Sequence, residues 1–243
     1  PTSPFAQKIR SVLGFKQLAW KSVIIPSVSP KPDLVALTGG YRKTPVLQVG
    51  ADIYCDTALI CEVLEHTQPD PVLYPPHLKG VARVFAQWAD TTLFWASMAY
   101  NLQPKGAEML FASLPLAAAQ AFVADRKAMS EGMVRQRPQD ATAAYRSYLR
   151  RIAHMAEEHD FLFGAEPCVA DVAAYHPLWF TRRVVPLMDD IFNATPAVLE
   201  WMDRIEALGQ GRMEKFSAAD AITVAAGAEP LPLLDDVFQD EHG

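Results

Sequence analysis

The sequence predicts a small α/β domain followed by a larger all-helical one, and three features carry that expectation. Strand-forming runs of β-branched and aromatic residues occur only before position 68. The stretch "QPDPVLYPPH", Gln68 to His77, holds four prolines in ten residues and reads as a linker. Beyond it, apolar residues recur at helical spacing as far as about residue 208. The expected parts are an α/β domain over 1–67, a linker over 68–78, a helical domain over 79–216 and an extended or mobile tail over 217–243.

The elements follow in order. "TSPFAQKIRSVL" places Ser3 at a helix N-cap and Pro4 at the first helical position, where a missing N–H costs nothing. Phe5, Ile9, Val12 and Leu13 form the buried stripe of that helix, and its positive end favours an anion near Ser3. "LAWKSVII" (Leu18 to Ile25) has strand composition and stops at Pro26, and a short helix or turn is expected around Asp33 to Leu37. Val46 to Val49, a turn at Gly50-Ala51-Asp52 and Ile53 to Cys55 read as a hairpin. Asp56-Thr57 caps a helix carrying Leu59, Ile60, Val63 and Leu64. In the helical part, Val84, Phe85, Trp88, Leu93 and Trp95 share one long helix. Further helices are expected at 115–132, 139–159, 169–184 and 196–208.

Composition removes several classes of function. At 243 residues, half of them hydrophobic, the chain can build a substantial core. A net charge of −6 with no dominant basic patch argues against nucleic acid. The apolar runs fall short of the roughly 18 residues that a membrane span needs. Cys55, Cys61 and Cys168 lack metal or redox spacing, and the six histidines form no metal-ligand pair. Free thiols suit a reducing compartment, so a soluble cytoplasmic protein without a metal is expected.

Three separated motifs, "SPFAQKIR", "RKTPVLQVGADIYCDTALI" and "FLFGAEPCVADVAAYHPL", together resemble the cytosolic glutathione transferase family over residues 1 to about 210. The resemblance implies a thioredoxin-like N-terminal domain, an all-α C-terminal domain, glutathione as co-substrate and a homodimer. It implies a cis Thr44-Pro45 bond that turns the Thr44 backbone toward an extended peptide. X–Pro bonds are the ones for which cis is accessible, at about 0.5–1 kcal/mol. A zwitterionic γ-glutamyl group needs an anion acceptor beside a cation acceptor. Thr57 with its local N–H groups suits the carboxylate, and Asp56 the ammonium. Lys43, with Arg42 or Lys31 as alternatives, would face the glycyl carboxylate.

Ser3 is the expected catalytic residue, with Thr2 the alternative hydroxyl. Making a thiol of pKa about 8.5 mostly thiolate near neutral pH requires lowering it by about two units, or about 2.7 kcal/mol. One hydrogen bond to a charged group supplies about 1.5–3 kcal/mol and a helix N-terminus about 0.3–1 kcal/mol, which together suffice. Serine where related subfamilies carry cysteine argues for conjugation or isomerisation of a hydrophobic electrophile over thiol exchange. A non-catalytic binder of glutathione or protein is the reading from another class. Trp95, Met98 and Tyr100 are candidates for the second substrate. Cys168 stands where the family has Ser or Thr, so Asp171 is expected to carry that helix cap as a structural residue. The family also has an interior β-strand before its first helix. Only two residues precede Ser3, so upstream residues are expected in the natural protein.

Overall fold

The computed structural model describes residues 2–132 and 136–232. Helix α1 (Pro4–Phe15) leads into strand β1 (Ala19–Val23), followed by α2 (Pro32–Thr38) and the hairpin of β2 (Val46–Val49) and β3 (Asp52–Cys55). Helix α3 (Thr57–Thr67) ends the small unit. The larger unit holds α4 (Lys79–Trp88), α5 (Phe94–Asn101), α6 (Pro104–Phe111), α7 (Leu116–Met129), α8 (Pro138–Glu158), α9 (Val169–Trp179) and α10 (Pro196–Ala207). A π-helical turn, Ala89–Leu93, runs α4 into α5, so the expected long helix is continuous but bulged. A second π turn, Phe180–Val184, extends α9. Helix α9 is buried from Val169 to Leu178 and packs against α1, α4, α5 and α10 as the axis of the core.

Sequence and structure part company after α10. Arg212–Phe216 is a strand, β4, inside the span expected to be all-helical, and it pairs in parallel with β1, Ala19 opposite Arg212. Among the described residues two two-stranded sheets result, β1 with β4 and β2 with β3. The connection reaches β1 by crossing the end of α1: a Cβ on Gly14 would lie 2.2 Å from Gly209 O, and one on Gly211 would lie 2.3 Å from Leu18 O. Only glycine fits such backbone approaches. The tail expected to be extended or mobile over 217–243 contains helix α11 (Ala218–Gly227), capped by Ser217 Oγ accepting from the Asp220 N–H at 3.0 Å. Residues 233–243 of that tail lie outside the described residues. Helix α11 is tied to the hairpin, where Gln48 Nε2 donates to Ala221 O at 2.8 Å.

The proline-dense segment between the units is clamped rather than loose. Buried Lys16 donates to the carbonyls of Gln68 (2.7 Å), Pro69 (3.2 Å) and Pro71 (2.6 Å) and pairs with Glu65. Glu65 in turn accepts from the N–H groups of Leu73 and Tyr74. Val169 N–H donates to Leu73 O at 2.9 Å, which fixes the linker to the start of α9. These bonds set the small unit on the large one, and their junction is where the candidate site lies.

Candidate functional site

Two helix N-termini carry the hydroxyls singled out from the sequence. Ser3 has extended backbone (φ −78°, ψ 119°), and its Oγ accepts from Ala6 N–H at 3.3 Å. A serine hydroxyl has one donor and two acceptor positions, so this cap leaves the O–H free to donate away from the helix. Thr2, one residue earlier, is exposed. At the second N-terminus, Asp56 Oδ1 accepts from Ala58 N–H at 2.7 Å, and Thr57 is buried as the first residue of α3. Asp56 holds φ 76° and ψ 133°, a region that non-glycine residues rarely occupy. The serine caps Ser3 (φ −78°) and Ser217 (φ −87°) hold ordinary extended backbone, so the strain at Asp56 marks a position shaped by more than capping.

The Thr44-Pro45 peptide is cis, and the β2–β3 ladder begins one residue later, with Val46 opposite Cys55. Thr44 therefore sits just outside the ladder. Lys43 is exposed on the same loop. Arg42 is committed to Asp125 of α7, and Lys31 is buried with its Nζ donating to Arg42 O at 3.1 Å. Arg126 also reaches Asp125, at 2.5 Å, and donates to Ser27 O at 3.0 Å. Burial, then the neighbouring Arg126 and Arg42, push the Lys31 pKa down. Two cations, Arg42 and Arg126, thus pair with the Asp125 carboxylate, and Lys31 lies beside them.

Beneath the two N-termini lies a group that the sequence reading missed. Lys8 Nζ, on α1, donates to Asp90 Oδ2 at 2.5 Å and to Thr57 Oγ1 at 3.2 Å. Asp90 Oδ1 lies 3.0 Å from His176 Nε2 on α9, and the His176 ring stacks on Phe5 at 4.7 Å between centroids. The signal was present: Lys8 falls three residues after Phe5 and four before Val12, inside the apolar stripe of α1. His176 likewise interrupts the apolar run of α9 that follows Asp171. Burial opposes charge on Lys8, yet Cys61 and Asp90 hold its pKa above the ordinary lysine value. Of those two the Asp90 carboxylate is the ionised one near neutral pH, since burial pushes the Cys61 thiol up to about 12. Burial alone would raise Asp90, but the His176 hydrogen bond and the Lys8 ammonium hold it below the ordinary carboxylate value.

Burial lowers the His176 pKa from 6.5, although the Asp90 bond works the other way. The ring is therefore neutral at pH 7, with Nε2 donating to Asp90 and a bare, buried, partnerless Nδ1. The native state refuses a proton that the unfolded chain binds, so this contribution to stability is complete above about pH 6.5 and is lost as pH falls toward the native pKa. Asp90 adds a second loss at pH values below 3.8. The melting temperature is expected to fall between about pH 7 and pH 5, and His176→Gln to flatten that stretch, in a thermal-melt series over pH.

The three second-substrate candidates divide. Trp95 is 43% exposed and borders Phe94, whose ring lies 4.7 Å from Phe5. Met98 shares that face of α5 but is 8% exposed. Tyr100 projects to the opposite face, is 6% exposed, and its hydroxyl donates toward Met188 O and Asp190 Oδ1, both at 3.0 Å. Tyr100 is thus a core hydrogen-bonding residue. Cys168 and Asp171 lie at the start of α9: Asp171 accepts from the N–H groups of Cys168 (2.9 Å) and Leu162 (2.8 Å) and from Trp201 Nε1 (2.9 Å). Burial, with Asp171 adding to it, pushes the Cys168 thiol up to about 12, so it is not a reactive group. Among the described residues no group of His, Cys, Asp and Glu could hold a metal, and no helix is long and apolar enough to cross a membrane.

Residues 1–72 match the model of the glutathione S-transferase N-terminal domain, and residues 118–204 that of the C-terminal domain. Strand β4 and helix α11 lie beyond both matches. A GST-like protein from Pseudomonas syringae is 38% identical, with a TM-score of 0.79, covering 100% of this chain and 77% of that one. A glutathione S-transferase from Rhodospirillum rubrum F11 shares the fold at 21% identity and a TM-score of 0.61, covering 85% of this chain and 84% of its own. Pyrimidodiazepine synthase of Drosophila melanogaster is 33% identical over 76 residues, which is 30% of this chain. That match spans 31% of the length of the curated relative.

Proposed function

The chain belongs to the glutathione S-transferase family, with a thioredoxin-like domain followed by a helical one, and from this premise we propose that it binds glutathione and activates its thiol for attack on a hydrophobic electrophile. The observation that carries the reading is the pair of hydroxyls at two helix N-termini, each already accepting from the protein and each left with a free proton to donate. Ser3 serves the sulfur and Thr57 the γ-glutamyl carboxylate. Ser3 caps α1, and Lys8 of the same helix donates to Thr57 Oγ1 at 3.2 Å, so one helix links the two N-termini.

In the proposed reaction the Ser3 O–H and the α1 N-terminus stabilise the thiolate, and the thiol proton leaves to solvent. The thiolate forms a C–S bond to the electrophilic carbon, and the leaving group departs with its electron pair. Asp56 takes the glutamyl ammonium, and the Thr44 backbone pairs with the cysteinyl unit. Lys43, or the cationic corner of Lys31, Arg42 and Arg126, takes the glycyl carboxylate. Trp95 supplies an exposed apolar wall for the second substrate. A homodimer and a cytoplasmic location belong to the same proposal.

The test is turnover of an activated aryl chloride with glutathione by wild type and Asp56→Asn. The amide retains the cap on Ala58 but loses the charge, so stability is expected within about 1 kcal/mol of wild type. The KM for glutathione is expected to rise about tenfold or more. Wild-type turnover no faster than the uncatalysed reaction would reduce the protein to a binder.

A further inference from the structure

Lys8 has 0% exposure on the helix that presents Ser3. Taking an ammonium out of water is strongly unfavourable unless its donors are used, and a structural ion pair with Asp90 would already neutralise it. The additional bond to Thr57 Oγ1 has a separate consequence. An ammonium only donates, so the threonine oxygen must accept, and the threonine hydrogen must point elsewhere. The same ammonium bridges Thr57 Oγ1 to Asp90 Oδ2, so removing it leaves the Asp90 carboxylate as an unpaired acceptor on the inner side of that hydroxyl. His176 Nε2 holds the other oxygen of Asp90 and so fixes where Lys8 can reach.

We propose that Lys8 is a positioning residue for the γ-glutamyl carboxylate of glutathione: anchored by Asp90 and His176, its ammonium occupies a lone pair of Thr57 Oγ1 and turns the threonine hydroxyl outward as a donor to the ligand. This rests on glutathione being the ligand at Thr57. The Lys8 ammonium, the member of the ion pair nearer α3, also touches the first residue of that helix at Thr57 Oγ1. The role is one of polarity and orientation, and Lys8 touches no reacting atom.

The experiment is calorimetric titration of glutathione and of cysteinylglycine, which lacks the γ-glutamyl unit, into wild type, Lys8→Met, Thr57→Val and the double variant. Lys8→Met is expected to weaken glutathione at least about tenfold while changing cysteinylglycine less than about twofold. In the Thr57→Val background, Lys8→Met should add less than about twofold, because its target is gone. In turnover, the loss should fall on the KM for glutathione with kcat changed less than about twofold. Lys8→Met/Asp90→Asn removes both charges together and carries the same expectation where the single variant does not fold. Equal losses for both ligands, additive losses with Thr57→Val, or unchanged glutathione affinity in a folded variant would overturn the proposal. Wild type that binds no glutathione would instead refute the proposed ligand itself, a result separate from any behaviour of the variants.

Discussion

Asp171→Ala is expected to destabilise the protein by about 3 kcal/mol or more. Three buried donors, Leu162 N–H, Cys168 N–H and Trp201 Nε1–H, lose their acceptor together. Each buried donor left unsatisfied costs about 1–3 kcal/mol, against a total stability of about 5–15 kcal/mol for an ordinary domain. The cap also starts α9, the buried axis of the core, so the loss is not confined to a frayed end. Asp171→Asn should be intermediate. Its amide accepts on one side only and would meet either Cys168 N–H or the Leu162 and Trp201 donors with a donor of its own. Urea midpoints and soluble yield measure both variants. An Asp171→Ala midpoint equal to wild type would contradict the account of the cap.

Ser3→Ala is expected to lower kcat/KM about 10- to 100-fold near neutral pH. Removing the hydroxyl takes away about 1.5–3 kcal/mol of thiolate stabilisation and leaves the helix N-terminus, worth about 0.3–1 kcal/mol. The pKa of bound glutathione should therefore climb by about one to two units, seen as a shift in the ultraviolet absorbance of the thiolate with pH. The loss should shrink at high pH, where the thiolate forms unaided. Ser3 is also the α1 cap, so about 1 kcal/mol of stability goes with it and a melting curve must accompany the rates. Ser3→Thr keeps cap and donor and should restore most activity, while Thr2→Ala should change little, since Thr2 is exposed. A bound thiolate with the same pKa in wild type and Ser3→Ala would remove Ser3 from the mechanism.

Helices α1, α3, α8 and α10 and the hairpin were legible because those helices bury one periodic face and the hairpin closes over a short turn, and both patterns are local; α6, of which only Gly106 is buried, was not. Nor was strand β4. "RMEKF" carries three charges in five residues and keeps most of its surface exposed, and its partner β1 lies about 190 positions earlier, a pairing no local pattern encodes. Helix α11 was more accessible: Ser217 and Asp220 form an S-x-x-D start before an alanine-rich run. At the site, both hydroxyls and Asp56 could be read from helix starts and a resemblance. Lys8, Asp90 and His176 come from three distant segments, and what pointed to two of them was a polar residue set in an apolar stripe. Tyr100 shows the reverse: aromatic type and proximity in sequence to Trp95 did not reveal that it faces the other way.

The central claim is that the N-terminus of α3, through Asp56 and Thr57, grasps the amino-acid head of glutathione while α1 receives its sulfur. Calorimetric titration of the wild-type protein with glutathione and with cysteinylglycine tests it most directly, because the two ligands share the thiol and the glycyl carboxylate, and the second lacks the γ-glutamyl head. Saturable glutathione binding, with cysteinylglycine at least about tenfold weaker, is the predicted result. Equal affinities, or no saturable heat with glutathione, would contradict it.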